Sequence, residues 1–72
     1  MVTLEQIRHR LIEAINNSGK SQTQLAQALQ LSQSSIAHYK RGDIMPALDT
    51  FANLCAILDV DPKYILCLTD DF

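Results

Sequence analysis

Apolar residues recur along this chain at intervals of three and four, the period of a helix with one buried face, and no stretch alternates strictly enough to read as a strand. Leu4, Ile7, Leu11, Ala14 and Ile15 form the first such stripe. Thr3 stands ahead of it as a cap, Gln6 completes a capping box, and Gly19 stops it. A shorter stripe of Leu25, Ala28 and Leu29 begins behind Ser21, with Gln24 at the capping-box position, and predicts a second helix over 22–29. Gln30 to Gln33 break the pattern, and Ser32 supplies another cap. Ile36 and Tyr39, with Leu31 just ahead, anchor a third helix over 33–40 whose other face carries Gln33, Ser34, His38 and Arg41. After a loop over 42–47 containing Pro46, a fourth helix buries Leu48, Phe51, Leu54, Cys55 and Leu58. Asp61-Pro62 then opens a fifth with a cap followed by proline at the first helical position, and Cys67 falls near its end. The pattern is all-α, with no repeat, low-complexity segment or internal linker.

The second and third predicted helices are short and joined by a tight turn. Leu25, Leu31 and Ile36 are the apolar points that set the angle between them. A helix-turn-helix of this kind offers its second helix to the major groove of DNA.

The residues Gln22, Leu25-Ala26, Leu31-Ser32, Ser35-Ile36, Tyr39 and Arg41-Gly42 follow the motif of a known family. Here the sequence resembles the Cro/phage-repressor (XRE-type) helix-turn-helix proteins. The likeness continues through Pro46, the helix from Leu48 to Leu58, and Asp61-Pro62-Lys63-Tyr64-Ile65-Leu66. It is similar to lambda-type repressors at Gln22, Gln33 and Ser34. The resemblance implies a compact five-helix, lambda-repressor-like DNA-binding domain spanning residues 1–72, with the helix-turn-helix at helices two and three. It also implies a transcriptional regulator, a repressor, that recognises double-stranded DNA at a near-palindromic operator. A homodimer would form there, in solution or only on DNA. Two positions depart from the family pattern. Gln30 stands where the turn often uses glycine to reach a left-handed conformation, at a cost of about 1 kcal/mol. Lys40 stands where many relatives have a glutamate paired with an arginine of the first helix, and Ile15 occupies the arginine's place. Exchanging an ion pair for apolar packing has little net cost, and it leaves Lys40 to face solvent or phosphate.

Composition narrows the class. At 72 residues and 47% apolar, the chain suits one packed domain that buries about 60–65% of its unfolded surface. No apolar run approaches the ~20 residues of a membrane span. The Met-Val-Thr-Leu-Glu start lacks the basic and apolar regions of a signal peptide, so a cytoplasmic protein without a membrane partner is expected. Cys55 and Cys67 form no C-x-x-C pair and no metal set with His9 or His38, and read as reduced small hydrophobes, a disulfide being the alternative. No metal, cofactor or catalytic constellation is expected: there is no nucleophile-base pairing and no glycine-rich phosphate loop.

The formal net charge of -2 argues at first against a nucleic-acid partner. Its distribution reverses that reading. Residues 1–42 hold Arg8, Arg10, Lys20, Lys40 and Arg41 against Glu5 and Glu13, whereas 43–72 hold Lys63 against Asp43, Asp49, Asp59, Asp61, Asp70 and Asp71. The basic half contains the helix-turn-helix, and a polyanion responds to local potential within ~8–10 Å.

Six residues make up the expected DNA-binding set. Gln33 opens the third helix, where an amide can make two hydrogen bonds to adenine N6 and N7. In lambda-type repressors the glutamine matching Gln22 braces the one matching Gln33 while touching a phosphate, and the resemblance implies the same here. The competing reading is that both are solvated glutamines at helix starts. Ser34 reaches a base edge or a phosphate, or is simple helix-start polarity. His38 lies one turn further along, to donate to guanine or phosphate or to remain a free surface histidine. Lys40 and Arg41 end the helix, where they meet phosphate or complement the helix terminus. Ser35 is expected to bond locally and Tyr39 to be core. A rival function is open on the same fold: an antitoxin or accessory factor that binds protein, motivated by the acidic second half and the apolar Ile65, Leu66, Leu68 and Phe72.

Overall fold

The structure is a computed structural model that describes residues 1–70. Asp71 and Phe72, both invoked above, lie outside the described residues. All five expected helices are present, and the described residues contain no strand: α1 (Leu4–Asn17), α2 (Gln22–Leu29), α3 (Gln33–Arg41), α4 (Leu48–Leu58) and α5 (Pro62–Ile65). The third helix runs one residue further than expected, to Arg41, and ends at Gly42.

The cap signals work as local chemistry requires. Thr3 and Ser21 each accept from the amide three residues on, while Gln6 and Gln24 reach back to the cap amide, so both capping boxes close. The Ser32 hydroxyl accepts from the Ser35 amide at 3.2 Å, and Asp61 accepts from the Lys63 amide at 2.9 Å. Helices α2 and α4 end in a left-handed residue that is not glycine, and a third such residue, Cys67, follows α5. Gln30 (φ 57, ψ 42), Asp59 (φ 57) and Cys67 (φ 63) each stand where a Schellman-type pair of hydrogen bonds closes the turn. For α2 that pair runs from the Gln30 amide to the Gln27 carbonyl and from the Leu31 amide to the Ala26 carbonyl, at 3.3 and 2.9 Å.

Helix α1 packs on α3 and α5, and α2 on α3 and α4. Leu11, Ile15, Leu25, Ile36, Leu54, Cys55 and Ile65 are the most completely buried side chains at their junction. Each large aliphatic one contributes about 1.5–3 kcal/mol of transfer free energy. Tyr39 is core, as expected, and Ile15 is buried. Burial, with Asp61 nearby, pushes the Cys55 thiol up, and both cysteines are free.

Several expected core positions are not core. Leu48, assigned to the buried face of α4, is 87% exposed at the first position of that helix. Leu4 is likewise exposed at the start of α1. In α2 the buried small residue is Ala26 at 5%, and Ala28 faces solvent, so the stripe narrows to Leu25 and Ala26 with Leu29 half-buried. Helix α5 is a single turn, and Cys67 lies past its end.

Arg10 ties the end of the chain to α1. Its guanidinium donates to the carbonyls of Tyr64 (2.7 Å) and Thr69 (2.8 Å) and to Asp70 (3.0 Å), and stacks 4.3 Å from the Tyr64 ring centroid. The Asp70 hydrogen bond outweighs burial and holds Arg10 more firmly charged than an ordinary arginine.

Candidate nucleic-acid interface

The two helices of the motif meet through a single side chain at their N-termini. Ser21 starts α2 and Ser32 starts α3, so Gln22 and Gln33 occupy equivalent first positions. Gln22 Nε2 donates to the Gln33 carbonyl oxygen at 3.1 Å. The expected brace is on the Gln33 side chain; the contact present grips the backbone of Gln33 instead. The Gln33 side chain is exposed and makes no hydrogen bond among the described residues, and the same holds for Ser34. Ser35 bonds locally, its hydroxyl 3.1 Å from that of Ser32. Ile36 and Tyr39 are buried beneath this surface and fix its orientation.

The far end of α3 is different. His38 does not stand free: its Nδ1 lies 3.1 Å from Asp43 Oδ1 and 3.0 Å from Arg41 Nη2. Arg41 Nε donates to Asp43 Oδ2 at 3.3 Å. Gly42 makes this cluster possible, because its left-handed turn (φ +79) folds the chain back on the helix. A Cβ there would also stand 2.7 Å from Ile12 Cδ1 and 2.8 Å from Arg8 Cδ. Partial burial pushes the Asp43 carboxyl up, but its hydrogen-bond contacts with His38 and Arg41 and the charge beside it outweigh that and hold Asp43 below its usual range.

The basic half is thus less open than its composition. Arg8 pairs with Glu5 at 2.8 Å, Arg10 with Asp70, and Arg41 with Asp43. Lys20, just ahead of the α2 cap, and Lys40, in the last turn of α3, form no ion pair among the described residues. Of the six expected residues, the fold brings Gln22, Gln33 and Ser34 together at one end of α3 and His38, Lys40 and Arg41 to the other. Sequence reasoning did not foresee the hold of Asp43 on His38 and Arg41. The signal for Asp43 was available: an acid directly after a helix-ending glycine, behind a histidine and an arginine on the last turn.

Among the described residues, no helix is long and apolar enough to cross a membrane. A protein-family model described as "Helix-turn-helix" matches residues 11–65. Neither the curated proteins nor the solved structures yielded a match.

Proposed function

The chain belongs to the helix-turn-helix family of Cro/phage-repressor type, a DNA-binding class, and from that premise we propose that it is a sequence-specific transcriptional repressor, residues 1–72 forming one cytoplasmic domain. The observation that carries this reading is the start of α3. There Gln33 and Ser34 present unengaged polar side chains, while Gln22 locks the backbone beneath them. In a major groove, Gln33 pairs with adenine N6 and N7, and Ser34 meets a base edge or phosphate. Gln22 keeps the α3 N-terminus in register and contacts a phosphate with its remaining amide capacity. Lys40 and Arg41 hold the phosphate backbone at the other end, and His38 reaches guanine or phosphate.

A single module of this size makes few contacts, so two copies on a near-palindromic site, with recognition helices about 34 Å apart, supply the affinity. Leu66 and Leu68, beyond α5, are the contact surface for that pairing; Leu68 is 68% exposed. Selection of binding sites from random DNA tests both points. A two-fold site bound by two chains is expected, and an asymmetric half-site bound by one chain contradicts the dimer.

One observation favours a protein partner instead. A groove of about 310 Å³ between α1 and the α4–α5 corner has Ala14, Leu58 and Val60 in its wall and Glu13, Asp59 and Asp61 around it. No residue of α2 or α3 lines it. Binding to random duplex that falls steeply with salt supports the DNA reading, and no binding at low salt supports the protein-binding one.

A further inference from the structure

The cluster at the end of α3 cannot satisfy all its partners at once. His38 Nδ1 has Asp43 Oδ1 at 3.1 Å and Arg41 Nη2 at 3.0 Å. One ring nitrogen either donates to the carboxylate or accepts from the guanidinium, never both. If it donates, Arg41 keeps only its Nε contact to Asp43, at 3.3 Å. If it accepts, the imidazole lone pair faces a carboxylate oxygen. Either way Arg41 is held by a frustrated set of contacts on an exposed surface, where ion pairs are weak. Asp43 brings an anion to the same end of α3 that carries Lys40 and Arg41, the end proposed to hold the phosphate backbone.

We propose that Asp43 is a latch: it holds Arg41 on the protein and releases it when a DNA phosphate takes its place. Asp43 thereby determines how strongly the protein holds DNA of any sequence. The latch weakens binding to random duplex while leaving base readout at Gln33, at the other end of the helix, unchanged. The ratio of operator to random affinity stays the same, because the same phosphate contact enters both. This rests on the proposed contact between Arg41 and phosphate.

The test is a double-mutant cycle of Asp43→Asn and Arg41→Ala, read as affinity for a random duplex across a salt series, with folding checked by circular dichroism. Asp43→Asn keeps the shape and removes the charge. It should tighten binding by about twofold to fivefold, the range that release of an exposed ion pair provides. The salt dependence should steepen by up to about one unit, because no anion of the protein then competes with phosphate for Arg41. Arg41→Ala alone should weaken binding. In the Arg41→Ala background, Asp43→Asn should gain little, because there is no longer an arginine to release. A gain that persists undiminished in that background marks simple repulsion between Asp43 and DNA; it overturns the latch and leaves the Arg41 contact standing. Arg41→Ala binding with wild-type affinity and slope overturns the contact and the latch together.

Discussion

Gln22 and Gln33 are the same residue type at the same helical position, yet the fold gives them opposite tasks. The Gln22 amide is committed to the Gln33 carbonyl, and the Gln33 amide is left open. A pattern of spacing and caps identifies both as first-turn residues, but it cannot say which atom Gln22 grips. That depends on the angle at which α3 leaves the turn, set by the burial of Leu25 and Ile36. Asp43 shows the same limit. Its position in sequence was plain, whereas its hold on His38 and Arg41 exists only because Gly42 reverses the chain. The direction of its pKa gives a pH prediction. Asp43 titrates below its ordinary value of 3.8, so the stability it contributes is present above that value and is lost as pH falls through the lowered one. Comparing wild type with Asp43→Asn by chemical denaturation at a series of pH values checks this. The wild type should be slightly the more stable near neutrality, with the difference vanishing in strong acid; a difference that stays constant through the acid range contradicts the ion-pair cluster.

At the level of elements, caps were legible and single-turn features were not. Thr3, Ser21, Ser32 and Asp61 all cap as their side chains allow, because capping is decided within three residues. Helix α5 was longer on paper than in the fold, since four residues carry too little periodicity to locate an end. Leu48 and Ala28 fit an apolar stripe but are exposed, because a stripe says which face is apolar and not how far the neighbouring helix extends along it. The turn of the motif was read correctly at Gln30, whose left-handed backbone (φ 57) closes α2 without the glycine that such a site favours. Gln30→Gly should therefore stabilise the protein by about 0.5–1 kcal/mol, measured as a rise in the urea midpoint with unchanged m-value. A lower midpoint would mean that the Gln30 side chain makes compensating contacts.

For the molecule as a whole, the uneven distribution of charge along the chain remains the guide to its docking face, but the fold tempers it. Arg8, Arg10 and Arg41 are each matched to an acid, and Arg10 serves to fasten the residues after α5 onto α1. Counting basic residues overstates the cations on offer, because pairing between positions sixty apart, as for Arg10 and Asp70, leaves no trace in sequence pattern. Lys40 has no ion-pair partner among the described residues, so Lys40→Ala should weaken binding to every duplex alike and flatten the salt slope by about one unit. Unchanged affinity and slope, followed by fluorescence anisotropy, would remove the last turn of α3 from the interface at that position.

The most direct test of the central claim, that the start of α3 reads DNA sequence, is the base-preference profile of Gln33→Ala. The variant should lose discrimination at one A·T pair per half-site, by about 1–3 kcal/mol, with affinity for random DNA nearly unchanged. Gln22→Ala should lose less at the same pair, and the two losses should not add, because Gln22 acts by fixing the backbone that carries Gln33. A folded Gln33→Ala protein that retains the wild-type preference at every base pair would contradict the account.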